Sequence, residues 1–538
     1  MISLGVAAHR YLCKRPAHNL FRRVLSFTAS RQAKKSVKRN TDEPRDKWNY
    51  SSTSFDEKPS GEHVGYKLVD ANSLEVGTTL PRSVKMLARD FIEDSLYNPN
   101  YGYFPKQATI FDTQDSIVKF TTLRDSVEFQ EEVGRKYAAY GADRHDGPGR
   151  QLWHTPTELF KPWYGRAIAQ CLVAEYMLKY FPYEDFILYE IGAGNGTLAM
   201  DILDYLRDEY PDVYDRTQYN IIEISSSLVK LQKKKLCKAH PCVKVTHRSI
   251  FHWNAREPAP CYFIAMEVVD NFAHDIVRYD LRTMQPYQGV VTIDAEGEFD
   301  MIYVPVDDPL IMDFLDLRRR LKHPLPINKF LQTSETLRRY YTSMPFAPNL
   351  SAEEYIPTRL LNLLQTLRSN FPRHRLLLSD FSSLPDAIPG INAPVVQTRY
   401  RNITVPCTKL LVRQGYFDIF FPTNFEHLRD MYEYIISPPS SSFLPNVDAP
   451  LPARSTPLMT NATSMSLGAD FFSSQRPNNR RDPRDGVASA SGLPVGERKS
   501  SVFAHSELME TYADLGKTRL LNGENPLLDF YKNVKFLF

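Results

Sequence analysis

"LYEIGAGNGTLAMDILDYL", residues 188–206, is the stretch whose reading decides the fold. An apolar run closes on the carboxylate of Glu190, glycines follow at 192, 194 and 196, and helical spacing of apolar residues begins at about Thr197. Glycine tolerates positive φ and lets a ligand approach main-chain N–H groups with no Cβ in between. A helix that starts immediately afterwards aims its N-terminal donors and its dipole at the same point. Across residues 186–270, FILYEIG, YNIIEIS, VKVTHRS and CYFIAMEVV read as strands, and the segments beginning NGTLAMDILDYL and SSSLVKLQKKKL read as helices. That alternation predicts a parallel sheet with helices on its faces.

The ligand follows from the spacing of the acids. A dinucleotide turn has the form G-x-G-x-x-G, with phosphate at the helix N-terminus and an acid roughly 20 residues further on. Here the form is G-x-G-x-G, and the next strand-end acid is Glu223, 27 residues after Gly196. An acid before the first glycine and another at the end of the second strand suit S-adenosylmethionine, a cation without phosphate. Glu190 offsets the aminium and sulfonium end, Glu223 accepts both ribose hydroxyls in a charge-assisted pair, and Gly192, Gly194 and Gly196 pack on the methionine portion. A nicotinamide dinucleotide, or a strand-to-helix turn with no ligand, are the competing readings of the same residues.

Outward from this unit the composition sets bounds. The formal charge of +3 over 538 residues is nearly balanced, so the body carries no basic footprint of a nucleic-acid binder. No window approaches the ~20 apolar residues of a membrane span. Six scattered cysteines are too few for a disulfide framework and imply a reducing compartment. Residues 1–40 contain no Asp or Glu and alternate Arg and Lys with apolar residues, the composition of a mitochondrial transit peptide, with a basic disordered tail as the competing reading. Residues 41–79 read as a linker, 80–180 as an N-terminal helical cap with an irregular insertion at 105–150, and 181–436 as the cofactor-binding core with an insertion at 271–370. Within that insertion, 274–306 has period-two runs and turn signals and reads as an inserted β-hairpin; RLLLSDFS (375–382) reads as a further buried strand, followed by a hairpin at 407–421. Residues 437–500 turn to Ser, Pro, Asn and Arg and read as a disordered insert, and 501–538 as a helical segment packing back on the core.

Several ordered motifs resemble one family, the MidA-like mitochondrial class I methyltransferases, which includes the protein arginine methyltransferase that assists assembly of respiratory complex I. NPNYGYF (98–104), TPTELFKPWYGRAIA (155–169), YEIGAGNGTLAMDIL (189–203), MEVVDNFAHD (266–275), EYIP (354–357) and GYFDIFFPTNFEHL (415–428) are similar to the family's segments and occur in its order. The resemblance implies a Rossmann-like class I methyltransferase sheet of α/β class with a helical cap and inserted hairpin, and S-adenosylmethionine as cofactor. It also implies methyl transfer to arginine of a mitochondrial matrix protein, a complex I core subunit being the family's known target, with symmetric dimethylation as the product. Glu267 and Asp270 are retained from its Glu-Phe-Phe-Asp core and are the expected catalytic carboxylates. A guanidinium needs such groups to hold the cation and orient one nitrogen; a capping pair at a helix start is the other reading. The sequence departs from the family at Met266, Val268, Val269, Ala273 and Asn424, and the Ser-Pro-Glu carboxylate becomes Thr157 or shifts to Glu158.

Other motifs carry less. CKAHPC (237–242), with His247 and His252 nearby, fits no strong zinc spacing, so no metal is expected. His274 beside Asp275 reads as a proton acceptor or a satisfied core histidine. The alternative to an enzyme is a divergent factor that binds the cofactor and assists assembly without turnover.

Overall fold

The computed structural model describes residues 65–106, 108–110, 118–141, 151–153, 155–400, 403–436 and 500–538. The expected transit segment, the linker up to residue 64 and the 437–500 insert apart from Ser500 lie outside the described residues. Among the described residues no helix is long and apolar enough to cross a membrane.

Seven strands form the main sheet: β1 (Phe186–Ile191), β2 (Thr217–Glu223), β3 (Val243–His247), β4 (Cys261–Met266), β5 (His374–Phe381), β6 (Val502–Ala504) and β7 (Val534–Leu537). Their spatial order is β3-β2-β1-β4-β5-β7-β6. Strands β1 to β5 pair in parallel, β7 runs antiparallel to β5, and β6 pairs antiparallel with β7. This is the class I methyltransferase sheet expected from the sequence. The chain moves outward from β1 through β2 to β3 and then returns to the other side of β1 with β4. Open α/β sheets hold ligands at the carboxyl ends of the two strands that flank such a switch point.

The apolar run of β1 is continuous because both of its faces are covered. Phe186 and Leu188 point into a core shared with α2 (Trp163–Lys179), α3 (Thr197–Glu209), α4 (Ser226–Ala239) and α8 (His505–Tyr512). Ile187, Tyr189 and Ile191 point into a second core with α5 (Pro309–Leu321), α6 (Thr358–Asn370) and α7 (Phe425–Ile436). In α3 the stripe Leu198, Ile202, Leu203 and Leu206 is buried, each side chain stabilising the packing by about 1.5–3 kcal/mol. Truncating Ile202 to alanine would open this layer directly behind the glycine turn.

A second sheet, of six strands, takes up the chain after the turn that follows β4. The expected hairpin is there, Pro286–Ile293 against Phe299–Pro305, but it does not stand alone. The other edge of Pro286–Ile293 is shared between Asp275–Tyr279 at its start and Val84–Leu87 at its end, and Glu354–Ile356 extends the sheet beyond Asp275–Tyr279. The cap at 80–180 is therefore not purely helical. Val84 and Met86 alternate inward before helical spacing takes over in α1 (Ala88–Tyr97).

Four further expectations need correction. The supposed linker ends in structure: Lys67–Leu68 pairs with Val84–Lys85, and Asp70 caps a short helix at Ala71–Leu74. Residues 105–150 contain a 16-residue helix, Ser126–Gly141. The C-terminal segment supplies two strands of the main sheet as well as helices, because Val534, Phe536 and Leu537 are apolar enough to be buried beside β5. The hairpin expected at 407–421 lies earlier in the chain, Val395–Tyr400 with Ile403–Cys407, and Asp418–Phe420 returns to the far side of Val395–Gln397.

Candidate active site

The glycine turn leaves β1 exactly where the switch point requires a bend. Gly192, Gly194 and Gly196 have φ of 66°, 54° and 74°. A Cβ on Gly192 would lie 3.0 Å from Val268 Cγ2, and one on Gly196 would lie 2.7 Å from Leu236 Cδ1 of α4. The turn is thus pressed between the segment after β4 and the helix after β2. Gly192 N–H donates to Ile222 O at 3.2 Å and Gly196 N–H to Ala193 O at 2.8 Å, and α3 begins at Thr197.

The two acids expected beside this turn are in place. Glu223 ends β2 and is buried; its Oε1 accepts from Ser225 N–H at 2.9 Å and its Oε2 from the Gln232 amide at 3.1 Å. Burial pushes its carboxyl up, against the pull of those two donors. The same Gln232 amide donates to Gly194 O at 2.8 Å, so one side chain ties the turn to the acid. Glu190 lies buried on the α3 side of β1 and accepts from Tyr219 OH at 2.8 Å. Burial holds its carboxyl up at about 7, with the Tyr219 hydrogen bond opposing and Glu223 adding to the shift.

These residues fit S-adenosylmethionine. Gln232 Oε1 is a buried acceptor with no hydrogen-bond partner, on the same amide that bridges Gly194 and Glu223. Each Glu223 oxygen spends one lone pair on a protein donor and keeps another for a ribose hydroxyl. A side chain on Gly192 or Gly196 would have to displace Val268 or Leu236, so the cradle also needs its glycines.

Across the switch point β4 ends at Met266, and Glu267 follows with φ +52°, a left-handed conformation that a glutamate adopts only at a cost. Glu267 N–H donates to Ser379 O of β5 at 2.8 Å. The chain then turns through Val269–Asn271, held from β5 by Asp380: its Oδ2 accepts from Val269 N–H at 2.9 Å and Asp270 N–H at 3.0 Å. The turn brings Glu267 and Asp270 together, both buried. Burial, reinforced by Asp270, raises the Glu267 carboxyl to about 7. A third carboxylate, Asp418, arrives from the small sheet. Its Oδ1 accepts from the Asn271 amide at 3.4 Å, while its Oδ2 is buried without a hydrogen-bond partner. Burial and the charge of Asp270 push Asp418 well above the usual carboxylate range, and Asp380 is raised for the same two reasons. Tyr164 and Tyr531 face Glu267 from α2 and from the C-terminal segment, and each is raised by burial and by that charge.

Other sequence candidates settle differently. His274 stacks on Phe421 with ring centroids 3.8 Å apart, its Nδ1 pairs with Phe272 O at 2.8 Å, and burial lowers it to about 3. It is a satisfied core histidine. Asn424 caps α7, its Oδ1 accepting from His427 N–H at 3.0 Å. Of the two candidates for the Ser-Pro-Glu carboxylate, Glu158 is the one buried against the glycine turn. Sequence reasoning missed Gln232, Asp380 and Asp418 as members of the site. Asp380 had a usable signal, an acid at the carboxyl end of the apolar run RLLLSDF. Asp418 lies in GYFDIFFPTNFEHL, a segment similar to the family's, but nothing around it marks a place beside β4.

The profile of the family described as S-adenosyl-L-methionine-dependent methyltransferases matches residues 167–438, just over half of the chain. The chain belongs to that family. This methyltransferase is 26% identical over 345 residues to the mitochondrial protein arginine methyltransferase NDUFAF7 homolog of Schizosaccharomyces pombe, covering 60% of this chain and 68% of the relative. A Burkholderia thailandensis protein solved with S-adenosyl-homocysteine aligns over 70% of this chain and 79% of its own, at 15% identity and a TM-score of 0.42. A second structure from that organism aligns over 70% and 78%, at 13% identity and a TM-score of 0.40. The family resemblance read from the ordered motifs stands, and so does its cofactor, S-adenosylmethionine.

Proposed function

We propose that this methyltransferase is a protein arginine N-methyltransferase of the mitochondrial matrix, acting on a complex I core subunit with symmetric dimethylation as its product and thereby on complex I assembly. The observation that carries the reading is the group of buried carboxylates, Glu267, Asp270 and Asp418, across the switch point from the cofactor turn. Buried carboxylates that repel one another are stabilised by a cation placed among them, and a guanidinium supplies both the charge and several hydrogen-bond donors. The name of the fission-yeast relative supports the arginine substrate and the mitochondrion, and the acid-free, basic first 40 residues agree with the compartment.

In this reading Glu190, Gly192, Gly194, Gly196 and Glu223 hold the cofactor, with Gln232 bracing the turn. When bound, S-adenosylmethionine supplies an electrophilic methyl group. Glu267 and Asp270 are the catalytic carboxylates: they orient the guanidinium so that one nitrogen faces that methyl, and a carboxylate oxygen takes the proton the nitrogen loses. Asp418 adds a third negative contact, and Tyr97, whose hydroxyl donates to Asn271 O at 3.0 Å, helps fix the turn. Positioning of this kind provides most of the rate in a displacement that needs no covalent enzyme intermediate.

The experiment is transfer of radiolabelled methyl from S-adenosylmethionine into a matrix extract, read by autoradiography and by mass spectrometry of arginine. Glu267→Gln with Asp270→Asn should cut transfer by about 10³-fold, within the usual span for positioned acid–base groups, and leave cofactor affinity within about threefold, below 1 kcal/mol. Label that persists in the double variant would remove these two residues from the catalytic role. Tight cofactor binding with no label in any protein would favour the assembly factor without turnover.

A further inference from the structure

We infer that Glu158 is the positioning residue of the cofactor turn, gripping the two residues that flank its third glycine. Thr155 caps the short helix Pro156–Leu159, its hydroxyl accepting from Glu158 N–H at 3.2 Å, and this fixes where the glutamate leaves the chain. The Glu158 side chain is only 3% exposed. Its Oε1 accepts from Thr197 Oγ1–H at 2.6 Å and from the Asn195 amide at 3.3 Å. Its Oε2 pairs with Lys161 Nζ at 3.2 Å. Lys235 approaches from α4, with Nζ 3.4 Å from Thr197 Oγ1 and 3.5 Å from Asn195 O.

A buried carboxylate carries a desolvation cost that needs specific partners to offset it. Here the partners are not scattered. Asn195 and Thr197 lie immediately before and after Gly196, and Thr197 is the first residue of α3. One carboxylate therefore sets the side chains on both sides of the +74° glycine and, through them, the direction in which the turn's N–H groups point. The contact also reaches outside the sheet, from the segment before α2 to the turn after β1, so the cap region forms part of the cofactor site. Glu158 bonds to the turn and is assigned no contact with the cofactor itself. Asp201, one turn further along α3, is buried beside the same charges and raised to about 7 by burial and by Glu158, which leaves Lys161 and Lys235 as the cations that balance this corner.

The inference rests on the cofactor and not on the arginine substrate. It is tested with the full chain by calorimetric titration of S-adenosylmethionine, together with the melting temperature of the ligand-free protein, for Glu158→Gln, Thr197→Val and the two combined. Each single variant should weaken binding about tenfold, equivalent to about 1.4 kcal/mol. The double variant should lose little more than either one, because one weakens and the other removes the same charge-assisted contact. Thr197→Ser keeps the hydroxyl and should restore affinity to within about twofold, which is under 0.5 kcal/mol; this comparison holds even where Glu158→Gln fails to fold. A purely structural role predicts a lower melting temperature with an unchanged dissociation constant in the folded protein. That result, independent losses that multiply in the double variant, or equal affinities for Thr197→Ser and Thr197→Val, would overturn the assignment.

Discussion

The proposed cofactor half of the site and the proposed acidic half face each other across one switch point, but they are assembled in different ways. Apart from Glu158, the cofactor half comes from a single run of chain, Glu190 to Gln232, in which a strand, a turn, a helix, a second strand and a second helix follow in order. The acidic half gathers Glu267 and Asp270 from the end of β4, Asp380 from β5, Asp418 from a separate small sheet, Tyr164 from α2 and Tyr531 from the C-terminal segment. The first half is defined by backbone shape, the second by charges that only the complete fold brings together. Backbone shape fails all at once when a side chain is forced into it, whereas a distributed set of carboxylates weakens by degrees.

The sharpest way to break that contrast is at the turn. Gly194→Val places a β-branched residue at φ +54°, a conformation such residues adopt only at a cost of roughly 1–2 kcal/mol. It also puts a side chain where the proposed cofactor site needs bare main chain. Binding of S-adenosylmethionine should fall by more than ~100-fold, about 2.7 kcal/mol or beyond, as read by calorimetry. Circular dichroism should remain that of the folded protein, because the strands and helices on either side keep their own cores. Retention of affinity within a few-fold would show that the ligand does not lie on this turn.

In the acidic half a single removal should act more mildly than the paired substitution described above. Asp418→Asn keeps the shape of the side chain and the contact with Asn271. It removes a carboxyl that can take up negative charge when a cation is bound beside it. KM for the protein substrate should rise about tenfold, in line with the loss of one charge-assisted contact, with kcat reduced less and cofactor affinity unchanged. An unaltered KM would leave Asp418 a buried structural acid and confine recognition to Glu267 and Asp270.

The same contrast explains what the sequence made legible. The turn, Glu190 and Glu223 could be read directly because strand, turn and helix periodicities lie next to one another and the spacing of the acids is local. Glu267 and Asp270 were named through the resemblance of MEVVDNFAHD to the family's segment, with their place after an apolar strand in support. The edge strands β6 and β7 were not readable: three and four residues are too short to show a period, and the chain between β5 and β6 runs through the insert. Val84–Leu87 was hidden for a related reason, since it adjoins α1 without a break and the helical spacing dominates the window. Asp418 lies in a family-like segment, but no local pattern marks it as part of the site. Its role depends on Asp418–Phe420 pairing with Val395–Gln397 and on Phe421 N–H donating to Asp270 O at 2.7 Å, neither of which the pattern around it encodes.

The mildest test compares the halves through their protons. Glu190 and Glu267 are both raised to about 7, chiefly by burial, against about 4.3 for a glutamate in an unfolded chain. Between those values the folded protein binds more protons than the unfolded chain, so the stability these two groups contribute is fully present below about pH 4.3 and is lost as pH rises through 7. In the ligand-free protein both sites therefore favour a higher melting temperature near pH 5.5 than near pH 8. The neutral isosteres Glu190→Gln and Glu267→Gln should each reduce that difference by a few degrees, on the order of 1 kcal/mol or more per group. A bound cation reverses the preference, because it stabilises the charged carboxylate beside it. Saturating S-adenosylmethionine should therefore flatten the part of the slope removed by Glu190→Gln and leave the Glu267 part in place. If the cofactor instead abolishes the Glu267 contribution, the positive end of the ligand lies in the acidic half, and the division of the site proposed here is drawn in the wrong place.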